Sequence, residues 1–311
     1  MSGRDRADGA ERATRAEADG RESVTGAEPD SGTGIRSSRR FDPSVRVGRA
    51  AVLFLLAVVV AFLVVPILLT VVSSFAGSAA GVLPDGFVTF SNWAKVLGFA
   101  DYGVQESVPG TLLFSMRLAT GGMLVNLLIG VPIAYALTRY DFFARDWLNA
   151  FAILPLVPGV VLGLAFVRAY PQNAGTWFGL VTGYALLKSP FMVLTVQSSF
   201  QSMDLRQLEE SARSLGASWP RAFLTVVVPN AKNGIVAGSI ICWTLAAAEF
   251  NFTYMVYSRG PEPFAMFLYR NITNAPFLQQ AAAISVYFCI VVAAILVLQL
   301  LGNAGFTTDS E

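Results

Sequence analysis

The chain has 311 residues, 54% of them hydrophobic and only 14% charged, against about 25% charged in soluble domains. With a mean hydropathy of +0.55, a chain of this length belongs in a membrane. A formal net charge of +1 argues for neither a nucleic-acid nor an acidic partner, and the lack of histidine removes the usual metal ligand and neutral-pH base.

Residues 1–46 are rich in Gly, Ala, Ser, Asp, Glu and Arg and read as a disordered tail. The tail has no apolar core near its start, so it is not a cleavable signal peptide. Arg39, Arg40, Arg46 and Arg49 precede the first apolar run and predict a cytoplasmic N-terminus. That run gives a first transmembrane helix over 47–75, with Pro66 as a site for a kink. Residues 76–109 form an external loop, where Lys95 is outnumbered by Asp85, Asp101 and Glu106. A core of five further helices fills 110–302, from apolar runs near 111–137, 147–167, 177–200, 235–257 and 281–301. Pro155, Pro158, Gly159 and Gly163 interrupt the second of these. Residues 303–311 form a cytoplasmic tail. Cys242 and Cys289 lie inside apolar runs, where small apolar packing is expected rather than a disulfide or a zinc site. The expected fold is an all-α, multi-pass protein of the plasma membrane with about six transmembrane helices.

Residues 203–230 are the long polar stretch between apolar runs, and they carry their own helix punctuation. Asp204 with Gln207 reads as a capping box. Leu205, Leu208, Ala212 and Leu215 recur at helical spacing, while Arg206, Glu209, Glu210 and Arg213 fall on other faces. Gly216 stops the helix in a left-handed turn. Ser218 caps a second helix that tolerates Pro220 in its first turn. Trp219, Ala222, Phe223, Val226 and Val227 make a second apolar stripe, and Pro229 ends it. Two short amphipathic helices therefore meet at a glycine elbow. Arg206, Arg213, Arg221 and Lys232 place this loop inside.

Glu210-Ser211-Ala212, then three residues to Gly216, then nine to Val226-Val227-Val228-Pro229, resembles the Glu-Ala-Ala loop of permease subunits of binding-protein-dependent ABC importers. Ser211, Val226 and Val228 are conservative departures from that pattern. The resemblance extends through Gly130-Val131-Pro132-Ile133-Ala134-Tyr135-Ala136-Leu137-Thr138-Arg139 and the proline-rich run at 154–163. Glu249-Phe250-Asn251-Phe252-Thr253 and Pro263-Phe264-Ala265-Met266-Phe267-Leu268-Tyr269 are similar to segments of the spermidine/putrescine-type subgroup, which also includes iron(III), thiamine and 2-aminoethylphosphonate permeases. The resemblance implies a type I importer permease fold with the two-helix loop as a coupling element. It implies that Glu209, Glu210, Ala212, Gly216, Ala217, Phe223 and Pro229 contact an ATPase subunit. For Glu209 a local ion pair on a solvated face is an equal reading. The implied partners are ABC ATPase subunits carrying ATP and Mg, a second permease subunit of the same or a sister chain, an extracytoplasmic solute-binding protein and the lipid bilayer.

The chain lacks the Gly-x-x-x-x-Gly-Lys-Ser/Thr loop that cradles nucleotide phosphates, so ATP hydrolysis is expected on a partner chain; the resemblance implies a translocation subunit without a cofactor of its own, and not an enzyme. With no histidine and no clustered intramembrane acids, a membrane-embedded enzyme has no catalytic constellation. Ionisable groups inside a bilayer are costly and are functional candidates. Lys188 and Glu249 fall at similar depth and, with Asn251, are candidates for the substrate path, or else a buried pair that fixes packing. Arg117 reads as a snorkelling side chain. An alternative function is an ion-coupled secondary transporter using Lys188 and Glu249.

Overall fold

The computed structural model describes residues 43–78, 85–100, 107–143, 145–151, 158–258 and 260–304. The expected tail, up to residue 42, lies outside the described residues, as does the tail from 305. The chain divides into two units, Met1–Val59 and Val60–Glu311. Helix α1 (Pro43–Ser73) begins ahead of the boundary expected at 47 and runs on through Pro66. Its segment Ala51–Ser73 exposes apolar side chains on all sides, which suits a bilayer and not water.

The expected external loop is structured at its start. Strand β1 (Ala76–Ser78) pairs antiparallel with β2 (Asp85–Phe87), Ala76 opposite Phe87. Helix α2 (Ser91–Val96) follows. Asn92 Nδ2 donates to the Ala76 carbonyl at 2.9 Å, and the Trp93 indole donates to Ser74 Oγ at 3.1 Å. These bonds fold the loop back onto the end of α1.

The centre of the second unit is built from α3 (Val108–Arg139), α6 (Trp177–Gln201) and α9 (Lys232–Ala247). Small residues let these helices approach closely, as bilayer packing requires. A Cβ on Gly234 would lie 2.4 Å from Ser199 Cβ, and one on Gly130 would lie 2.8 Å from Met192 Cγ. Ala134, Leu137, Met192, Val196, Phe200 and Cys242 are buried between them.

Two of the expected spans are not single helices. The run at 147–167 divides into α4 (Arg145–Phe151) and α5 (Gly159–Ala169), and its proline-rich middle, with Pro155, lies outside the described residues. At 11 residues α5 is too short to cross a hydrocarbon core that needs about 20. The run at 235–257 breaks after Ala247, and α10 (Asn251–Val256) resumes beyond the gap. Glu249 Oε1 accepts the Phe252 N–H at 3.0 Å, supplying the acceptor that the new helix start lacks. Helix α11 (Phe264–Arg270) lies in the expected loop 258–280, and α12 (Phe277–Ala304) ends the described chain. Among the described residues, four helices are long and apolar enough to cross a membrane, or five if the bent pair at 219–247 is one crossing. Given that only part of the chain is described, this is roughly consistent with the expected count of about six.

Candidate functional site

The polar loop folds as helix α7 (Leu205–Ser214) and helix α8 (Trp219–Asn230). Asp204 caps α7 as the sequence implies, its side chain accepting the Gln207 N–H at 3.1 Å. The helix closes with a Schellman turn. Gly216 N–H bonds the Arg213 carbonyl at 2.9 Å, and Ala217 N–H bonds the Ala212 carbonyl at 3.1 Å. Gly216 sits at φ +85, where a side chain would be strained, and no atom would lie within 4 Å of its Cβ. The elbow is thus open on its outer side.

Other local expectations differ. Ser218 is extended at the start of α8, but its side chain makes no capping bond. Pro229 does not end α8, which continues to Asn230. Instead, Phe223–Val227 forms a π turn, with Val228 N–H reaching the Phe223 carbonyl. Pro229 cannot donate to the carbonyl one turn back and crowds it, so the preceding turn widens. The chain then bends by 74° into α9. Leu215 leaves the apolar stripe because it is the C-cap residue, and its side chain is 89% exposed.

The inner side of the loop is tied to the end of α3. Glu209 is buried, and its two carboxylate oxygens have different partners. Oε1 accepts the Tyr135 hydroxyl, and Oε2 accepts Arg139 Nε at 2.8 Å. The Tyr135 hydroxyl in turn accepts the Trp219 indole N–H at 3.2 Å. One donation and one acceptance use that hydroxyl well. The Tyr135 ring stands among Tyr140, Phe200, Trp219 and Phe223, with centroids 5.0–6.1 Å away. Phe223 also stacks on Trp219, their planes 10° apart.

The candidate contact residues therefore divide. Glu209 and Ala212 face inward and are buried, while Ala217 and Phe223 are half-buried. Glu210, Gly216 and Pro229 are exposed, and Arg206, Arg213, Leu215, Arg221 and Leu224 join them on the outer surface. The free-standing carboxylate of the motif is that of Glu210.

The second candidate group lies at the helix break. Lys188 Nζ pairs with Glu249 Oε2 at 2.5 Å, with side chains 12% and 8% exposed. Glu249 thus serves the lysine with one oxygen and the start of α10 with the other. Tyr184 and Thr253 hydroxyls bond at 2.6 Å beside it, so Thr253 links α10 to α6 as expected of an intramembrane hydroxyl. Asn251 is exposed, and a Cβ on Gly159 would come within 3.1 Å of its Cβ. Arg117 is exposed on α3. Among the described residues, no group of His, Cys, Asp and Glu could hold a metal ion.

The family model described as the binding-protein-dependent transport system inner membrane component matches residues 126–304. The chain belongs to this family. It is a permease subunit of an ABC importer, and a multi-pass membrane protein. A probable molybdenum ABC transporter permease of Haloferax volcanii is 36% identical over 186 residues, 56% of this chain and 68% of that relative. The molybdate/tungstate permease WtpB of Pyrococcus furiosus is 35% identical over 140 residues, spanning 43% of this chain and 55% of its own length. A bacterial ABC transporter crystal structure, from a system importing the acidic polysaccharide alginate, has a chain of like fold. It is 16% identical, with a TM-score of 0.61 over 86% of the permease and 99% of that chain.

These relatives correct the subgroup expected from the sequence, which was the spermidine/putrescine type. Residues in both segments behind that expectation serve helix starts. Glu249 caps α10, and Pro263 stands at the start of α11. The ion-coupled alternative yields to the family membership. Tyr135, Arg139 and Trp219 were not singled out as site residues. The available signal was the spacing of Tyr135 and Arg139, which puts both on one face of a helix end.

Proposed function

We propose that the permease imports a tetrahedral oxyanion, molybdate or tungstate, delivered by an extracytoplasmic binding protein and driven by ATP and Mg on partner ATPase subunits. The carrying observation is the naming of the relatives, which are molybdenum and molybdate/tungstate permeases. The ion pair supports this reading. Lys188 is neutralised by Glu249, so that side chain does not offer a bare cation that would trap a dianion in transit. Asn251, exposed next to the pair, is the proposed solute-facing residue, and Lys188 and Glu249 shape the break that presents it. In this reading a second permease subunit completes the path. The loop 203–230 and the N-terminus lie in the cytoplasm, and the outer face of α7 and α8 docks on the ATPase through Glu210, Gly216 and Leu215.

The test is uptake into vesicles holding the permease, its ATPase and its binding protein. Labelled molybdate should accumulate only with ATP, and unlabelled tungstate should compete at equal concentration. Uptake of spermidine in place of molybdate would overturn the proposal, and preferential competition by sulfate would move it to a different oxyanion.

A further inference from the structure

We propose that Glu209 is a positioning residue for energy coupling, pinning helix α7 of the loop to one turn of α3 so that displacement of the loop moves that helix. This inference rests on the permease assignment and not on the choice of oxyanion.

The chain path shows why a pin is needed. Helix α7 is joined covalently to α6 through residues 202–204, and α8 is joined to α9 across a 74° bend. Helix α3 has no direct junction with the loop, since α4, α5 and α6 intervene. Yet α3 is one of the three central helices. A push on the elbow reaches it by way of α6 and α9, which pack on it, or directly through the loop's own side chains.

Those side chains converge on Glu209. From α7, its carboxylate takes Tyr135 on one oxygen and Arg139 on the other, fixing its orientation at two points. From α8, Trp219 bonds the same Tyr135 hydroxyl. Tyr135 and Arg139 are one helical turn apart on α3. The side chains of Glu209 and Arg139 are 6% and 21% exposed. A charge-assisted bond shielded to this degree is stronger than a surface pair and less sensitive to salt. The surrounding rings of Phe200, Phe223 and Trp219 make the contact stiff as well as bonded. The neighbouring Glu210 is exposed. Adjacent carboxylates of one motif thus face opposite ways, one available to the partner and one tied to the permease.

The test follows α3 directly, without solute. An environment-sensitive fluorophore is placed on Leu128→Cys, at an exposed position of α3, with Cys289→Ser to remove the other exposed thiol. The labelled permease is reconstituted with its ATPase in vesicles, and emission is compared without nucleotide and with the ATPase trapped by ATP and vanadate. The unsubstituted latch should give a nucleotide-dependent change. Glu209→Ala and Arg139→Ala should reduce its amplitude at least fivefold per assembled complex. Tyr135→Phe, which keeps the ion pair, should reduce it less than twofold. The exchanged pair Glu209→Arg with Arg139→Glu should recover at least half of it. Amplitudes are normalised to ATPase retained on the permease, so a variant that assembles poorly is still read on the complexes that form, and Arg139→Lys provides a milder change. An equal amplitude in all variants would overturn the proposal. So would a proportionate loss in Tyr135→Phe and Glu209→Ala, or no change in the parent. Failure of molybdate uptake would leave this readout untouched, so the two proposals fail separately.

Discussion

Lys188→Met removes the cation that faces Glu249 while leaving the carboxylate in a site where it is 8% exposed. Breaking a buried pair by losing one partner costs about 3–5 kcal/mol, because the other charge stays buried without its counterion. At about 2–4 °C per kcal/mol for a domain of this size, the unfolding midpoint in detergent should fall by about 6–20 °C. The double variant Lys188→Met/Glu249→Gln removes both charges, and the glutamine oxygen still accepts the Phe252 N–H that starts α10. Replacing an intact buried pair by neutral groups is close to neutral, so the double variant should melt within about 4 °C of the parent. The assay is the fraction of monodisperse protein that survives a temperature series, read by size-exclusion fluorescence. A double variant as unstable as the two single losses added together would refute the reasoning. So would a Lys188→Met protein that melts with the parent.

Gly183→Ala should lower the same midpoint, since its Cβ would lie 2.0 Å from Phe252 Cζ and overpacking costs about 1–3 kcal/mol. Gly216→Val should cost about 1–2 kcal/mol from backbone strain, because space around its Cβ is open, while Gly216→Asn should be tolerated. Comparing their midpoints tests this. Glu210→Lys and Leu215→Ser should leave the midpoint within about 0.5 kcal/mol of the parent, as exposed substitutions do, yet lower the ATPase recovered by affinity purification. Asn251→Leu should reduce molybdate uptake severalfold at unchanged ATPase recovery; equal uptake would remove Asn251 from the path.

The legible parts of the loop were those whose causes lie within one turn of chain. The Asp204 cap and the Gly216 turn use bonds between residues three to five apart, and both stand as the residues imply. The inward pull on Glu209 was hidden because Tyr135 lies 74 residues away, and nothing local to Glu209 tells it from Glu210. Lys188 and Glu249 were visible as two costly groups at similar depth, and their 2.5 Å contact is the cheapest way to hold both. The break between α9 and α10 left no mark in hydropathy, because Glu249 and Asn251 are averaged with the long apolar stretches on either side. The π turn was likewise hidden: Pro229 reads as a stop, and α8 does end one residue later, but the turn before the proline also widens. The solute subgroup was misread from residues that serve helix starts.

The most direct test of the account is cross-linking of the permease with its native partners, followed by mass-spectrometric mapping of the joined peptides. The account predicts an ATPase subunit joined to the outer face of the loop, at positions such as Arg206, Arg213 and Arg221. Recovery of the permease without an ATPase, or cross-links that avoid residues 203–230 altogether, would contradict it.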